Sequence, residues 1–363
     1  MNDIEPFEIH VPQADLDDLH DRLARTRWPD ELPGAGSDYG IPLSRVRKLA
    51  DAWAALDWRA KEREINAFPQ FTTVIDGQRI HFIHVRSQAP DAVPLILTHG
   101  WPGSVVEFLQ LIPLLSGRFH LVVPSIPGFG FAGPTIERGW GQERVARAWA
   151  ELMARLGYDR YGAHGGDWGS GISRLLASVA PEHVLGVHVN FLPSLGTPPA
   201  PLSWSDEERL EKTRKLAANR HPHQVLFAAT PQTIAYALTD SPVGQLAFIA
   251  EKFAAWAGPD TQVPDDVILT DVMHYWATGT AGSSSRLVKE SGLGAGPIPC
   301  PVPLGVAVLP YDIVQSIRPL VEMRHDVRRW TEYPRGGHFA ALEVPELLAD
   351  DLTAFFDGLP ARA

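Results

Sequence analysis

Residues 163–170 read AHGGDWGS, and the turn at the centre of this stretch decides the fold. The longer stretch 160–181, RYGAHGGDWGSGISRLLASVAP, reads as a short strand, a sharp glycine-rich turn and a helix. Asp167 stands in a Gly-x-Asp-x-Gly frame, which matches the Gly-x-Ser-x-Gly nucleophile elbow except that a carboxylate replaces the hydroxyl. The frame therefore predicts a nucleophilic aspartate on a tight strand-to-helix turn.

Strands alternate with helices on both sides of this turn. VPLILTHGWPGS at 93–104 and HLVVPSIPGFGFA at 120–132 are short apolar runs that break into loops rich in glycine and proline. The same buried-strand pattern returns in PCPVPLGVAVLP at 299–310. Alternating strands and helices of this kind predict an α/β fold with a mostly parallel, doubly wound sheet.

The beginning of the chain has a mainly helical pattern. Leucines recur at helical spacing in residues 12–29, and a second helical run follows Ser44, which we expect to act as its N-cap. Residues 71–86 then form two β-rich runs around Asp76–Gly77, a strong hairpin signal.

A proline-rich linker after residue 192 opens another helical region, which interrupts the α/β pattern as a lid would. Buried-strand patterns return only near the end of the chain. The chain is therefore expected to comprise an N-terminal segment (1–75), two parts of an α/β core (76–191 and 299–363) and a helical cap (192–298).

The composition excludes several classes of protein. With 45% hydrophobic residues the chain can bury a large core, but no window approaches the roughly 18 uninterrupted apolar residues of a membrane span. A net charge of −11 argues against a nucleic-acid partner, because such proteins usually carry a basic surface. Cys300 is the only cysteine, so no intrachain disulfide or zinc cluster is expected. Together with an acidic start unlike a signal peptide, this predicts a cytoplasmic protein without a metal.

An elbow nucleophile is followed along the chain first by an acid and then by a histidine, each on a loop after a late strand. Asp312 in LPYDIV and His338 in RGGHFAALEV stand in that order. Asp326 and Glu332 lie nearby and are alternative candidates for the acid. The sequence therefore predicts a triad of Asp167, Asp312 and His338.

A carboxylate nucleophile points to a particular chemistry. When it attacks a saturated carbon it forms an ester, which an activated water can hydrolyse, whereas serine would form an ether that water does not readily cleave. His338, oriented by Asp312, would activate that water. Ester hydrolysis also needs an oxyanion hole, for which we expect the backbone N–H groups of Trp168, directly after the nucleophile, and of Trp101 in HGWPG.

The motifs THGWPGS, GGDWGS, ALTDSPVG, YWATGT and RGGHFAALEVPELLADD together resemble those of the epoxide hydrolases of the α/β-hydrolase superfamily. The resemblance covers nearly the full chain and is to the branch that contains the microsomal and juvenile-hormone enzymes and their bacterial relatives. It implies an α/β-hydrolase fold with a helical cap and an N-terminal segment that wraps around cap and core. It also implies that Asp167 is the nucleophile, Asp312 the charge-relay acid and His338 the base, with no cofactor. In agreement with the composition, we expect this chain to lack the membrane anchor of the microsomal members.

The sequence departs from the family pattern in the cap. Members of the family use two cap tyrosines to bind the epoxide oxygen and protonate the alkoxide, but here His223 and Val288 occupy the two tyrosine positions. An epoxide opened without such donors leaves an alkoxide in a pocket of low dielectric, at a cost of about 3–4 kcal/mol for each lost donor. His223 itself, Tyr275 and Tyr236 are the candidate replacements.

The resulting expectation is an epoxide hydrolase that converts an apolar epoxide and water into a diol. Three alternatives remain open: a specialised enzyme on the same scaffold that opens or cyclises one complex epoxide, a haloalkane dehalogenase-like hydrolase, and a non-catalytic binding protein. We expect neither a nucleic-acid nor a membrane partner. A homodimer is left open, because the sequence does not reveal the oligomeric state.

Overall fold

The computed structural model describes residues 4–219, 221–292 and 298–359. The outermost residues of the predicted N-terminal and final core segments, and residues 220 and 293–297 of the predicted cap, lie outside these ranges. Strands in the described residues form one nine-stranded sheet. The strands are β1 (Glu5–Phe7), β2 (Gln70–Ile75), β3 (Gln78–Val85), β4 (Val93–Thr98), β5 (Phe119–Pro124), β6 (Tyr161–Gly165), β7 (Val184–Val189), β8 (Leu304–Val308) and β9 (Val327–Glu332).

The order of the strands across the sheet is β1-β2-β3-β5-β4-β6-β7-β8-β9. Neighbouring strands from β5 through to β9 run parallel. At the other edge, β1, β2 and β3 run antiparallel to their neighbours. The mostly parallel sheet predicted from the alternation of strands and helices is therefore confirmed.

Helices surround this sheet. They are α1 (Gln13–Ala24), α2 (Leu43–Ala54), α3 (Trp58–Asn66), α4 (Leu111–Leu115), α5 (Gln142–Arg155), α6 (Asp167–Val179), α7 (Trp204–Asn219), α8 (Pro222–Ala229), α9 (Pro231–Asp240), α10 (Pro242–Trp256), α11 (Asp265–Thr278), α12 (Ala281–Ser284), α13 (Arg286–Ser291), α14 (Arg318–Glu322), α15 (Ala340–Glu343) and α16 (Pro345–Asp357). Helices α7 to α13 lie between β7 and β8 in the chain, where a helical cap was expected.

The N-terminal segment joins the edge of the sheet to the cap helices. Strand β2 pairs with β3 across a tight turn at Asp76–Gly77, where both residues have positive φ (52° and 75°), as the hairpin signal predicts. Helix α1 buries the regularly spaced leucines that predict it. Both α1 and α2 pack against α10, and Arg45 of α2 pairs with Asp265 of α11 at 2.5 Å.

The N-cap predicted for the second helix is wrong. Helix α2 begins at Leu43, so Ser44 lies within its first turn, and Pro42 is the N-cap residue. The backbone N–H of Leu43 donates instead to the side chain of Glu31 at 2.8 Å. A carboxylate from the loop between α1 and α2 thus satisfies a helix-terminal amide for which a serine was expected.

The chain turns sharply where β6 ends and α6 begins. Asp167, the first residue of α6, has a φ of +46°, which is uncommon for a residue with a side chain and costs about 1–3 kcal/mol. A Cβ on Gly169 would lie 2.0 Å from the carbonyl oxygen of Thr98, and a Cβ on Gly165 would lie 2.3 Å from the backbone of Gly169. The two glycines of the frame therefore permit the close approach of helix and sheet that presents Asp167 at the carboxyl end of β6.

Two layers of helices cover the sheet, and the side chains of β4 point alternately into them. Leu95 and Leu97 belong to the buried cluster that includes residues of α4 and α16, whereas Ile96 belongs to the cluster that includes Trp149 of α5. This alternation is the property of a strand whose two faces are both buried. The cap contributes to the same cluster as Ile96, because Phe227 of α8 belongs to it.

Residues 4–219, 221–292 and 298–359 contain neither a membrane-spanning helix nor a metal cluster. No helix there is both long and apolar enough to cross a bilayer. The same residues contain no group of three or more His, Cys, Asp or Glu side chains placed to hold a metal ion. Cys300 is a free, buried thiol, and its burial raises the pKa to about 11.

Candidate active site

Three side chains from separate loops meet at the carboxyl edge of the sheet. Asp167 follows β6, Asp312 follows β8 and His338 follows β9. His338 Nδ1 lies 2.8 Å from Asp312 Oδ1, and His338 Nε2 lies 3.5 Å from Asp167 Oδ2. Since a carboxylate only accepts hydrogen bonds, Nδ1 donates to Asp312 and Nε2 faces Asp167. The structure thus brings together the three residues of the predicted triad.

The two alternative acids lie elsewhere. Asp326 and Glu332 each pair with an arginine, and each carboxylate is about half exposed. Asp312, in contrast, is 1% exposed, and its Oδ2 has no hydrogen-bond partner among the described residues. Of the three acids, Asp312 is the one that hydrogen-bonds His338.

The two carboxylate oxygens of Asp167 have different surroundings. Oδ1 accepts a hydrogen bond from the backbone N–H of Trp101 at 2.9 Å, and Oδ2 faces His338. Burial raises the pKa of Asp167, but the imidazole of His338 and the backbone amides of Trp101 and Trp168 outweigh burial, so that the pKa is lower than usual. The carboxylate is therefore ionised near neutral pH, with one oxygen held by the backbone and the other beside the imidazole.

The imidazole of His338 carries a charge in this arrangement. Burial lowers its pKa, but the carboxylates of Asp312 and Asp167 more than compensate and raise the pKa to about 10. An imidazolium between two carboxylates has no free position to accept a proton. It can become a base only after one of the two neighbouring negative charges is removed.

Comparisons with known proteins agree with this geometry. Residues 4–108 match the family model of the epoxide hydrolase N terminus, and residues 93–214 match that of the alpha/beta hydrolase fold. The chain is 34% identical to epoxide hydrolase 1 of Sus scrofa over 97% of this chain and 88% of that protein. It is 40% identical to a Stigmatella aurantiaca protein that also bears an epoxide hydrolase name, over 99% of this chain and 86% of that protein. The chain belongs to the epoxide hydrolase family.

Solved structures of epoxide hydrolases have the same fold. The structure of the Aspergillus niger epoxide hydrolase matches with a TM-score of 0.91 and 32% identity, over 99% of this chain and 97% of that one. Juvenile hormone epoxide hydrolase from the silkworm Bombyx mori matches with a TM-score of 0.90 and 30% identity, over 99% and 95% of the two chains. The expected α/β-hydrolase fold is confirmed, and family membership favours epoxide chemistry over the haloalkane and binding-protein alternatives.

In this epoxide hydrolase, His223 lies against the loop whose Trp101 amide binds Asp167. It is 5% exposed on α8, and its ring stacks on that of Trp101 with centroids 4.8 Å apart. Burial, together with the charge of Lys252, lowers the pKa of His223 to about 3, so the ring is neutral near pH 7. Its Nδ1 has no hydrogen-bond partner among the described residues. These surroundings disfavour an imidazolium donor and leave a neutral N–H available.

The other cap candidates are less suited to bind an epoxide oxygen. Tyr236 is 70% exposed, because the opposite side of α9, which carries Leu238, faces the core. The prediction that Tyr236 contacts the substrate is therefore wrong. Tyr275 is buried, but its hydroxyl donates a hydrogen bond of 2.6 Å to the carbonyl oxygen of Gly103. Val288 is buried in α13 and has no polar side-chain atom to offer.

Two carboxyl groups near the site were missed by the sequence analysis. Glu107 lines the same cavity as Asp167 and His338, and burial raises its pKa to about 8. Asp271 of α11 is 1% exposed, and its Oδ1 accepts a hydrogen bond of 2.5 Å from the hydroxyl of Ser104. In both cases an acid interrupts an apolar run, VVEF and ILTDVM, and this is the signal that could have identified them.

A larger groove lies outside this site. It has a volume of about 990 Å³ and lies between the α1–α2 region and the start of α10, with Arg22, Trp28 and Val243 among its lining residues. None of the predicted site residues named above lines it. Asp167 and His338 instead line a smaller, buried cavity at the carboxyl edge of the sheet.

Proposed function

We propose that this epoxide hydrolase acts on apolar epoxides through an ester formed at Asp167. The asymmetric setting of the Asp167 carboxylate carries the proposal, since Oδ1 is held by the Trp101 amide while Oδ2 lies 3.5 Å from His338 Nε2. In the first step Oδ2 attacks an epoxide carbon, the ring carbon–oxygen bond breaks, and the ring oxygen becomes an alkoxide. Oδ1 becomes the carbonyl oxygen of the ester, beside the amides of Trp101 and Trp168 that form the oxyanion hole.

Ester formation also changes the role of His338. It removes the charge of Asp167, one of the two carboxylates that raise the pKa of the imidazole, and therefore lowers that pKa. The proton that the imidazolium then loses balances the proton that the alkoxide gains. The neutral imidazole, still held by Asp312, takes a proton from water, and the water oxygen attacks the ester carbon. Collapse of the tetrahedral intermediate passes that proton to the leaving diol oxygen. The second proton of the water then moves from the new Asp167 carboxyl to His338, which restores the carboxylate and the imidazolium.

We assign the hydrogen bond to the epoxide oxygen to His223. Its ring stacks on Trp101, whose backbone amide holds Asp167. The charges of Asp167 and His338 are close enough to influence the pKa of His223, which supports a position beside the reacting groups. A neutral imidazole can stabilise the developing alkoxide through its N–H without carrying a charge of its own.

Aromatic rings near the triad support an apolar substrate. Trp101 contacts Phe227 and Phe248 with ring centroids 5.0 and 5.8 Å apart. Trp256 of α10 lies 5.1 Å from the ring of His338. Small-molecule sites lined mainly by aromatic rings, with few polar groups, bind apolar ligands.

A cyclising enzyme is the second candidate function. The apolar Val288 at the second tyrosine position favours it, because valine offers no hydrogen bond to the epoxide oxygen. A site with one such donor fewer suits one particular substrate better than a wide range of epoxides. In such an enzyme a hydroxyl group of the substrate, rather than water, would trap the opened carbon. Product analysis distinguishes the two, since a diol contains an oxygen from water and a cyclic ether does not.

Trapping the ester tests the proposed function. His338→Gln should still form the ester but fail to hydrolyse it, so incubation with styrene oxide should raise the intact mass of the enzyme by one substrate molecule. Asp167→Ala is the matched control and should form no adduct. An unmodified His338→Gln enzyme, or an adduct that also forms on Asp167→Ala, would contradict the ester mechanism.

The oligomeric state and the cytoplasmic location, considered from the sequence, stay predictions. Sedimentation velocity of the purified chain distinguishes the homodimer from the monomer. Fractionation of cells that produce the chain, followed by detection with a specific antibody, tests the cytoplasmic location.

A further inference from the structure

A small cavity adjoins Asp167 within the α/β core. The described residues that line it all come from the core: the loop after β4, residues 107–108, the end of β6 and the elbow, Asn190, and residues 338–341. The cavity has a volume of about 10 Å³, which is close to the room that one buried water needs. The cavity is therefore too small for a substrate and suited to a single water.

The polar groups around this cavity can bind a water molecule. His338 Nε2 is buried without a hydrogen-bond partner among the described residues, and the Asp167 carboxylate lies beside it. Asn190 presents its side-chain amide to Gly166, where a Cβ would lie 2.8 Å from both polar atoms of the amide. Glu107 contributes a carboxyl group to the same cavity. A buried water makes about three hydrogen bonds, and these groups supply that number.

The carboxyl of Glu107 is placed by the loop that carries the Trp101 amide. A Cβ on Gly103 would lie 1.4 Å from Glu107 Oε1, so the carboxyl occupies the space that a side chain at position 103 would need. The loop is fixed from the other side by Tyr275, which donates to the carbonyl oxygen of Gly103. Burial raises the pKa of Glu107 to about 8, so near neutral pH its carbonyl oxygen accepts a hydrogen bond without taking a proton from His338.

We propose that this cavity holds the water that hydrolyses the ester and that Glu107 positions it. One O–H of the water donates to Nε2 of His338, and the other donates to the carboxyl of Glu107. The oxygen lone pair is then directed at the carboxyl carbon of Asp167. His338 takes the proton as the new carbon–oxygen bond forms, and the negative charge develops on Oδ1 beside the Trp101 amide. The inference rests on the proposed function, because it assumes that an ester forms at Asp167.

Glu107→Leu tests the inference, because leucine fills a similar volume but accepts no hydrogen bond. In rapid-quench single turnovers of styrene oxide, ester hydrolysis should slow about 100-fold, as expected when a reacting group loses its alignment. Ester formation should keep its wild-type rate, so the ester accumulates. Glu107→Gln keeps a carbonyl acceptor and should recover most of the lost rate of hydrolysis. Glu143→Leu, which removes an exposed glutamate of α5, is the matched control and should change neither step.

The outcomes separate this inference from a purely structural role of Glu107. Equal slowing of both steps in Glu107→Leu, or unchanged hydrolysis, would overturn it. If Glu107→Leu does not fold, Gly103→Ala gives the same test, because the added methyl group displaces the carboxyl; selective loss of hydrolysis supports the inference, and its absence contradicts it. Absence of an ester in His338→Gln would instead refute the proposed function, so the two failures are distinguishable.

Discussion

In the proposed mechanism His223 binds the epoxide oxygen in place of a tyrosine, through an imidazole that burial keeps neutral. His223→Ala should therefore slow ester formation about 100-fold or more, the usual effect of removing one donor to a developing oxyanion. His223→Gln keeps a side-chain N–H and should slow ester formation less. Single-turnover rapid-quench measurements with styrene oxide determine the rate. Ester formation at the wild-type rate in His223→Ala would exclude this residue as the donor.

The pKa of His338 makes the two chemical steps differ in their pH dependence. In the resting enzyme both Asp312 and Asp167 are charged and the pKa is raised to about 10, whereas the ester state has lost the charge of Asp167. Hydrolysis needs the neutral imidazole, so its rate should rise with pH and level off above a pKa that lies below 10. Ester formation depends on pH through the ionisation of Asp167, whose pKa is lower than usual, and its rate should stay constant over the same range.

Rapid-quench measurements at a series of pH values give both rates from the same samples. Asp312→Asn offers a comparison, because it removes the other carboxylate that raises the pKa of the imidazole. A rate of hydrolysis that rises only around pH 10 would show that ester formation leaves the imidazole unchanged, and would refute the proposed change in the role of His338.

At the scale of secondary-structure elements, α11 of the cap holds the loop that carries the oxyanion amide. Ser104 of this loop donates to Asp271 at 2.5 Å, and Tyr275 donates to the carbonyl oxygen of Gly103 at 2.6 Å. Burial raises the pKa of Asp271 well above its usual value, and Glu107 acts in the same direction whenever it is ionised. Folding therefore favours the protonated form of the Asp271 carboxyl.

The raised pKa of Asp271 makes the free energy of unfolding depend on pH. Because the pKa of Asp271 is higher in the folded state, its contribution to stability is complete below the unfolded-state pKa and is lost as the pH rises towards the folded-state pKa. Asp271→Asn removes this titration, so its free energy of unfolding should decline less than that of wild type as the pH rises above about 4. Urea unfolding at several pH values measures the difference. Parallel pH profiles for the two proteins would refute the prediction.

Some elements of the site could be predicted from the sequence because their cause is local. The glycines around Asp167 and the strand and helix patterns beside them dictate the elbow, and the order of elements in an α/β sheet then locates Asp312 and His338. Glu107 could not be placed, because its role depends on a contact with Gly103 and a cavity built from several loops. The contact between Ser104 and Asp271 joins residues 167 positions apart, and no local pattern records it.

Two residues of the cap also have properties that the sequence alone could not predict. The position of His223 follows from the family pattern, but its neutral state depends on burial against Trp101, which only the folded chain reveals. The error at Tyr236 has a related cause. The helix was recognised, yet the sequence of α9 does not say which of its sides faces the core, and this residue lies on the exposed side.

At the scale of the whole molecule, the N-terminal segment attaches to the cap through buried and exposed contacts. These contacts contribute differently to the free energy of unfolding. Trp53 of α2 is 2% exposed and lies 6.2 Å from the ring of Trp276, whereas Arg45 and Asp265 form an ion pair that is about one-third exposed. Trp53→Ala should lower the free energy of unfolding by about 3–5 kcal/mol. Asp265→Ala should lower it by no more than about 1 kcal/mol, because solvent screens the pair.

Urea denaturation of the two variants, followed by tryptophan fluorescence and circular dichroism, measures these losses. A larger loss in Asp265→Ala than in Trp53→Ala would mean that the ion pair, and not the buried aromatic surface, attaches the segment to the cap.

The most direct test of the ester mechanism follows the oxygen of water through one turnover. With enzyme in excess over styrene oxide in ¹⁸O-water, the first diol should take its new oxygen from Asp167, and the water oxygen should enter the Asp167 carboxylate. We predict ¹⁸O in the peptide that contains Asp167 and an unlabelled first diol. Label in that diol, with none in the peptide, would contradict the ester and show that water attacks the epoxide directly.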